Sequence, residues 1–438
     1  MTVQRFIPRA SAFDPAAKSE GSIDPLGLVP IADRLSVRLV PGMRERMKHP
    51  RYLTLLSVGA SICRDFSADQ LAADGISPPI QVYEWYIVQA LVSELLGKGL
   101  VGLPGSEKAS AAMKKGLPLN ASRYLRVPSV FGFYGVYKTL ARDMRLIQGD
   151  RLDEAAEELL YAYEDDQDLR GLHSGRKGNG QAFGDQLKRA VEDGLKAGCV
   201  DRRWQWSFNA AIASRMHPAQ AGPKEAELLF QLIRNDRNQM RQEVMDVLLA
   251  YVREYDRKSG IQERHFHAFM LDKVRSEVKK VVEAVMAYER FSRLLTNAFE
   301  AVLFRVSGLS FRCSMQELAE LPEITLAVDQ LPALFQACSE QLEFVGEQSE
   351  FRGTFSRFTE RMNPNDFTVQ LLEHHEFIQR RKPPLGKATW IERLPGDKVL
   401  LRPLYVRRES LVNDDLHAYV YAYRANSLSS FMVDLKKI

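Results

Sequence analysis

The sequence predicts a mainly α-helical protein with a multi-helix body, one long central helix and a small β-containing module at the carboxyl end. Three observations lead to this fold class. Apolar residues recur at helical spacing over most of the chain, the stretch 263–306 contains no proline or glycine, and β-branched and aromatic residues alternate beyond residue 364. Of the 438 residues, 45% are apolar and 26% are charged, which excludes a disordered chain, a collagen-like chain and a small disulfide scaffold.

Shifts in composition divide the chain into five consecutive segments. They are an amino-terminal arm (1–22), a helical amino-terminal domain (23–170), a glycine-rich loop (171–184), a second helical domain (185–362) and a basic β-containing module (363–438). Two to three domains are expected for this length.

The amino-terminal domain begins with a helix for which Asp24 is a candidate cap and which ends at Pro41-Gly42. Further helices are predicted over 50–64 and 81–96. The helix over 81–96 is apolar around most of its circumference, which predicts a buried position at the centre of the domain.

Two helical patterns over 129–147 and 151–163 are joined by the short segment Gln148-Gly149-Asp150. Within 129–170 this arrangement predicts a helix-turn-helix or winged-helix unit, which places a helix in the major groove of DNA. An ordinary antiparallel helix pair has the same sequence pattern and is the alternative.

Residues 171–184 contain five glycines, which predicts a flexible loop. The alternative is a phosphate-contacting loop in which Arg176, Lys177 and backbone N–H groups bind an anion. The segment is not a Walker A motif, because no Gly-Lys-Ser/Thr sequence follows the glycines, and no buried strand precedes it as a dinucleotide-binding fold requires.

The second helical domain is dominated by the stretch 263–306. Apolar residues from Val274 to Leu295 recur there at steps of three and four, which predicts one continuous helix of about 60 Å. Shorter helices are predicted before it, over 185–196, 204–215, 224–233 and 242–253.

The pattern changes near Asn363-Pro364. Strands are predicted over 377–378, 390–391, 398–401 and 418–423, separated in part by proline- and glycine-containing turns.

Basic residues are concentrated in the segment 374–408, which holds nine lysines and arginines against three acids. This local charge of +6 exceeds the +4 of the whole chain, so attraction to phosphate must be local. We define the carboxyl-terminal basic patch as the predicted nucleic-acid-binding residues Arg380, Arg381, Lys382, Lys387, Trp390, Arg393, Arg402, Arg407 and Arg408. Cations would neutralise phosphates while exposed rings stack on bases. The alternative is a β-module whose lysines and arginines protect edge strands.

Two further charged groups are candidate interaction surfaces. The amino-terminal basic patch is predicted to bind nucleic acid and consists of Arg34, Arg38, Arg44, Arg46 and Arg51. The acidic cluster is predicted to bind a basic partner protein and consists of Glu154, Glu157, Glu158, Asp165 and Asp166. The alternative for the acidic cluster is a solvated helix face.

No catalytic residue, metal or cofactor is predicted. The four cysteines lie far apart and form no Cys-x-x-Cys pair, which predicts reduced thiols. His374-His375 precede Glu376, but Gln379 stands where a His-Glu-x-x-His motif would place its second histidine. The alternative is a metal-dependent nuclease site whose carboxylates come together from distant positions in the chain.

The sequence Asp24-Pro-Leu-Gly-Leu is followed by Arg34-Leu35, by Pro41-Gly42 and by Arg51-Tyr52-Leu53. This succession, over residues 24–58, resembles the opening of uncharacterised bacterial proteins encoded in anti-phage defence islands. Those proteins share a D-x-L-G, an L-x-P-G and an R-x-R-Y-x-x-F/L pattern, and His49 replaces the first arginine of the third pattern here. The resemblance implies a bacterial cytoplasmic protein that works beside helicase, nuclease or ATPase partners against foreign DNA, and it carries over no catalytic residue.

These observations predict a non-enzymatic DNA-binding or scaffolding subunit of a multi-protein defence complex. The alternatives are a metal-dependent nuclease-type effector and a helical adaptor that binds only protein. The amino end has no signal-peptide core and the sequence has no uncharged apolar run of 18 residues, so we expect a cytoplasmic protein without membrane contact.

Overall fold

The computed structural model describes residues 24–67, 69–98, 101–125, 127–201, 207–255, 260–383 and 385–438. It is 60% helix and 4% strand, with a small antiparallel sheet near the carboxyl end, which confirms the mainly α-helical fold class. The expected arm (1–22) lies outside the described residues, as do residues 204–206 of one predicted helix.

The elements are numbered here in chain order. The helices before residue 260 are α1 (Val29–Leu39), α2 (Tyr52–Cys63), α3 (Pro79–Leu95), α4 (Ser106–Lys114), α5 (Pro128–Phe131), α6 (Phe133–Asp143), α7 (Ala156–Asp166), α8 (Asn179–Ala197), α9 (Ser207–Arg215), α10 (Pro223–Arg234) and α11 (Met240–Tyr255). The later helices are α12 (Glu263–Met270), α13 (Ser276–Gly308), α14 (Met315–Ala319), α15 (Pro322–Glu343), α16 (Gln348–Phe355), α17 (Pro364–Arg380) and α18 (Ala425–Asp434). The strands are β1 (Ile147–Gln148), β2 (Arg151–Leu152), β3 (Arg312–Ser314), β4 (Ile391–Leu394) and β5 (Lys398–Leu401), and short 3-10 helices cover Ser356–Phe358 and Pro403–Tyr405.

The chain divides into two compact units, each made from two separate stretches. Unit 1 comprises Met1–Ser36 and Gln262–Tyr423, and unit 2 comprises Val37–Ile261 and Arg424–Ile438. The sequence predicted consecutive domains instead. The two divisions differ because the last stretch packs with residues far earlier in the chain, a long-range relation that local periodicity does not encode.

Helices α2 and α3 form the buried centre of unit 2. Gly59 of α2 faces the ring of Tyr83 of α3, and a Cβ atom at position 59 would lie 2.6 Å from that ring. The two helices therefore approach closely because position 59 has no side chain. Trp85 and Tyr86 are also buried, so α3 is enclosed on nearly all sides, as its apolar circumference predicts.

The segment predicted as a helix-turn-helix is a helix, a β-hairpin and a second helix. Helix α6 ends at Asp143, and β1 pairs antiparallel with β2 before α7 begins at Ala156. Gly149, with a φ of 64°, supplies the left-handed residue of the two-residue turn. The helices are therefore joined through a strand pair, which corrects the direct three-residue turn that the sequence predicted between them.

The glycine-rich loop is shorter than predicted, because α8 begins at Asn179. A Cβ atom at Gly180 would lie 1.7 Å from the Leu169 backbone oxygen, so this glycine lets α8 start against the preceding chain. The buried carboxylate of Glu164 accepts backbone N–H groups of Gly171 and Ser174, at 3.3 and 2.9 Å. These N–H groups are bound by the protein's own acid, which argues against the phosphate-contacting alternative.

In unit 1 the predicted helix over 263–306 is two helices. The Lys273 N–H donates to the Met270 backbone oxygen at 2.8 Å, which closes a turn, and Arg275 is extended, with φ −64° and ψ 163°. A backbone turn thus interrupts the helix without proline or glycine. Helix α13 has 33 residues, about 50 Å at 1.5 Å per residue, and is the long central helix that the sequence predicts.

The three-stranded sheet of unit 1 has the order β3-β5-β4 and is antiparallel throughout. Strands β4 and β5 lie at the predicted positions, whereas β3 comes from before the predicted module, since Cys313 pairs with Val399. The predicted strand over 377–378 lies within α17. Asn363 caps this helix through Oδ1, which accepts the Asp366 N–H at 2.9 Å, and Pro364 occupies its first turn.

The predicted strand over 418–423 is not part of a sheet, because side chains of unit 1 helices bind its backbone. The carboxylate of Glu289 accepts the N–H groups of Val420 and Tyr421, the latter at 3.3 Å. Arg293 donates to the Ala418 and Tyr419 oxygens at 2.9 and 2.7 Å. The aromatic alternation therefore marks an irregular segment whose backbone is bound by α13 side chains. The residues after it form the unpredicted helix α18 of unit 2.

Candidate functional surfaces and a charged cleft

Ion pairs within unit 1 engage half of the cations of the carboxyl-terminal basic patch. The pairs are Arg380 with Glu376, Arg393 with Glu373 at 2.9 Å, Arg402 with Glu392 at 2.7 Å and Arg407 with Glu300 at 2.7 Å. Lys382 is half-buried and donates to the Asp24 backbone oxygen at 2.6 Å, and this burial lowers its pKa. Each of these five residues binds an acid or a carbonyl oxygen of its own chain. Fewer cations of the patch are therefore available to phosphate than the sequence predicts.

Trp390 belongs to the core of unit 1, contrary to the prediction of an exposed ring. Its side chain is 5% exposed and stacks on Tyr405 with ring centroids 4.5 Å apart. Its backbone N–H donates to His375 Nε2 at 2.9 Å, and the Arg407 guanidinium lies 5.6 Å from its ring centroid. The ring stabilises the link between the chain before β4 and the chain after β5, so it is unavailable to a base.

Arg381, Lys387 and Arg408 are the remaining cations of the carboxyl-terminal basic patch. Within the described ranges no ion pair engages them. Arg381 and Arg408 are exposed, Lys387 is partly exposed, and the Arg381 guanidinium lies 4.9 Å from the Phe377 ring centroid. We call these three residues the free cation group.

The amino-terminal basic patch is divided by the fold, since Arg34 belongs to unit 1 and the other four residues to unit 2. Arg34 pairs with Glu347 at 2.6 Å, and Arg38 is exposed on α1. Arg44 donates to Thr139 Oγ1 at 3.2 Å, and Arg46 lies over the Phe131 ring at 5.0 Å.

Arg51 is a core residue rather than a nucleic-acid contact, which corrects the prediction. It is 1% exposed, and its Nε lies 3.0 Å from both carboxylate oxygens of buried Glu225. Two other residues of the segment 24–58 also stabilise the fold. Asp24 caps α1 by accepting the Leu28 and Val29 N–H groups at 2.9 and 3.0 Å, and the Pro41 oxygen accepts a bond from buried Arg241 at 2.6 Å.

The acidic cluster of unit 2 is partly used within the protein. Glu154 pairs with Arg145, Asp165 pairs with Lys224 at 2.7 Å, and Asp166 accepts the Glu225 N–H at 2.8 Å. Glu157 and Glu158, in the first turn of α7, are exposed. Among the described residues, neither Glu157 nor Glu158 forms an ion pair. These two residues are therefore the part of the acidic cluster that remains available to a partner protein.

Two adjoining cavities in unit 2 were not predicted from the sequence. The larger has a volume of about 280 Å³ and the smaller about 200 Å³, and both are lined by Pro78, Ile80 and Asp150. We call them together the Asp150 cleft. The hairpin turn positions Asp150, while Pro78 and Ile80 lie at the start of α3.

Glu84 lines the smaller cavity and is buried. Its carboxylate accepts bonds from Tyr124 Oη at 2.7 Å and from the N–H groups of Phe133 and Tyr134, both at 3.1 Å. Burial raises the pKa of Glu84 to about 7, and the three hydrogen bonds oppose this rise. Glu84 is the one acid among the mostly apolar residues 80–92 of α3. This is the sequence signal that could have identified it, since unpaired acids are rarely fully buried.

Comparisons with known protein families, with curated proteins and with solved structures find no match for this chain. Among the described residues, no three histidine, cysteine, aspartate or glutamate side chains are grouped so that they could hold a metal ion. In the same part of the chain, no helix has both the length and the apolar character needed to cross a membrane.

Proposed function

We propose that this protein is a non-enzymatic nucleic-acid-binding or scaffolding subunit of a bacterial anti-phage defence complex, with DNA as the favoured nucleic acid. Its other partners would be a helicase, a nuclease or an ATPase in the cytoplasm. The resemblance over residues 24–58 motivates the defence role. The observation that carries the nucleic-acid role is the free cation group of unit 1.

Two backbone hydrogen bonds and one ring stack link the chain segments that carry the free cation group. The Lys387 N–H donates to the Gln379 oxygen at 2.8 Å, which returns the chain to the end of α17, where Arg381 lies. The Arg402 N–H donates to the Trp390 oxygen at 3.0 Å, and the ring stack joins Trp390, three residues after Lys387, to Tyr405, three residues before Arg408.

An exposed apolar side chain lies within this region. Leu385 is 96% exposed, two residues from Lys387 and four from Arg381. Cations around an exposed apolar residue can bind a phosphate backbone while the apolar group contacts a base or sugar. This pattern supports a small nucleic-acid contact.

Three phosphate contacts predict weak, salt-dependent binding. Each contact contributes about −0.9 to the slope of log affinity against log salt on duplex DNA, so a slope of about −3 is expected. A steeper slope would require cations beyond the free cation group.

A gel shift on a DNA duplex at low salt tests the proposal. The variant Arg381→Ala/Lys387→Ala/Arg408→Ala should lose binding while its circular dichroism is unchanged. The matched control Lys108→Ala/Lys114→Ala/Lys115→Ala removes three exposed charges at α4 of unit 2 and should bind like the parent. Equal binding by both variants would remove the free cation group from the proposal.

The second candidate is a helical adaptor that binds only protein. It is favoured by the internal pairing of the carboxyl-terminal basic patch, which leaves few cations for phosphate, and by the exposed pair Glu157 and Glu158. This candidate predicts no DNA or RNA binding at low salt. It also predicts that Glu157→Lys/Glu158→Lys abolishes co-purification of a partner from the native host, whereas Glu107→Lys on α4 does not.

The nuclease alternative is tested with plasmid DNA and Mg²⁺ or Mn²⁺. Metal-dependent nicking that follows the protein through chromatography and disappears on substitution of one carboxylate would replace the non-enzymatic proposal.

A further inference from the structure

The Asp150 cleft has the size and continuity of a small-molecule site. Its two cavities meet at Pro78, Ile80 and Asp150, with about 280 Å³ on one side and 200 Å³ on the other. Sites for small ligands usually occupy about 300–1,000 Å³, so the two cavities together fall within this range whereas neither does alone. An occupant would extend past the Asp150 side chain.

Cations line both halves of the cleft. Lys138 and Arg142 line the smaller cavity, and Arg64 and Arg151 line the larger one. The Lys138 ammonium is partly buried, donates to the Ser129 oxygen at 2.7 Å and lies within electrostatic reach of Arg142 and Arg44. Burial and these two positive charges lower the pKa of Lys138, and the nearby Asp150 carboxylate opposes this change. Like charges gathered at a cavity are stabilised by a bound anion.

The carboxylates of the cleft make the site selective rather than uniformly cationic. Asp150 accepts the Tyr134 hydroxyl, which also lies 3.2 Å from the Gly149 oxygen. A carboxylate has acceptor sites beyond this one bond, so Asp150 can accept a hydroxyl or amino donor of a ligand. Glu84 is a positioning residue, because its bonds to the Phe133 and Tyr134 N–H groups hold the start of α6, which carries Lys138 and Arg142.

The larger cavity adds an apolar wall. Phe66, Pro78, Pro79 and Ile80 line it. The phenylalanine ring presents a flat apolar surface on which a planar ring packs favourably, and the proline and isoleucine side chains add apolar contact area.

We propose that the Asp150 cleft binds a nucleoside phosphate. The phosphate would meet Lys138 and Arg142, Asp150 would accept ribose or amino donors, and the base would lie against the apolar wall of the larger cavity. A nucleoside phosphate carries an anion for the cations, hydroxyl and amino donors for Asp150, and a flat ring for the apolar wall. The inference concerns unit 2 alone and does not depend on the proposed function.

Isothermal titration calorimetry with AMP, ADP, adenosine and inorganic phosphate tests this site. AMP or ADP should bind at micromolar to millimolar concentration and more tightly than adenosine or phosphate alone. Lys138→Ala/Arg142→Ala should weaken nucleotide binding at least 10-fold. The matched control Lys114→Ala/Lys115→Ala, which removes two exposed charges in the same unit, should leave it unchanged.

Asp150→Asn separates nucleoside recognition from simple anion binding. The substitution removes a negative charge and replaces one acceptor oxygen by an amide NH₂ donor. Phosphate should therefore bind equally or better, while AMP, whose hydroxyl or amino donors need the lost acceptor, should bind several-fold more weakly. Three results would each overturn the proposal. They are binding of phosphate without binding of AMP, equal AMP affinity of the parent and the Lys138→Ala/Arg142→Ala variant, and no binding of any nucleotide at millimolar concentration. The free cation group variant should bind AMP like the parent, which distinguishes this site from the DNA contact.

Discussion

Arg51 and Glu225 form a buried ion pair in unit 2. The Arg51 Nε lies 3.0 Å from each carboxylate oxygen, and an Arg51 terminal nitrogen donates to the His217 oxygen at 2.9 Å. Both side chains are withdrawn from solvent, so each charge depends on the other for compensation. An arginine that the sequence suggested for phosphate binding therefore joins α10 to the start of α2.

Removing one member of this pair should destabilise unit 2 strongly. Arg51→Met is expected to lower the free energy of unfolding by about 3–5 kcal/mol, because Glu225 is left as an uncompensated buried charge. Urea denaturation measures the change. The matched control is Arg234→Met, which breaks an exposed ion pair with Asp246 and should cost about 1 kcal/mol or less. Similar losses in the two variants would contradict this interpretation of Arg51.

Glu84 should make stability depend on pH. Its pKa is raised in the folded protein from an ordinary value of 4.5 to about 7, so folding favours the protonated acid. The stabilising contribution of protonation is complete below pH 4.5 and is lost as the pH rises through 7. Glu84→Gln lacks this titration, so its stability relative to the parent should increase between pH 4.5 and 7.

Urea midpoints measured across this pH range test the Glu84 prediction. Glu107→Gln, at an exposed position in the first turn of α4, is the control and should follow the parent at every pH. Parallel pH profiles for the parent and Glu84→Gln would show that Glu84 does not titrate as proposed.

Two helical glycines should respond oppositely to the same substitution. Gly180→Ala places a Cβ atom against the Leu169 oxygen and is expected to cost about 1–3 kcal/mol through overpacking. Gly353→Ala, in α16, meets no atom within 4 Å and should stabilise the protein by about 0.5–1 kcal/mol through helix propensity. Thermal unfolding of the two variants compares them, and a stabilising Gly180→Ala would refute the close packing at the start of α8.

Trp390 should matter for stability and not for nucleic-acid contact. Trp390→Ala is expected to cost about 3–5 kcal/mol, because the ring fills the core and stacks on Tyr405. The milder Trp390→Phe should keep DNA affinity equal to that of the parent in the gel shift. A folded Trp390→Phe protein that loses DNA binding selectively would restore the ring as a base-stacking group.

The sequence determined the helical character of the chain because local periodicity encodes it. The apolar circumference of α3 predicted its burial, and most helices before residue 255 lie near their predicted positions. The strands β4 and β5 were likewise readable from β-branched and aromatic residues between turns. In each case the residues whose pattern predicts the helix or strand belong to that element or lie within a few residues of it.

The roles of the charged residues depend on partners that are distant in the sequence. Arg51 and Glu225 are 174 positions apart, Arg407 and Glu300 are 107 apart, and the backbone at 418–423 is bound by helix side chains more than 100 residues away. A count of charges along the chain does not show whether a guanidinium faces solvent, a carboxylate or a carbonyl oxygen. The free cation group and the Asp150 cleft emerge only when these long-range partners are known, because ion pairing and cavity shape depend on spatial neighbours.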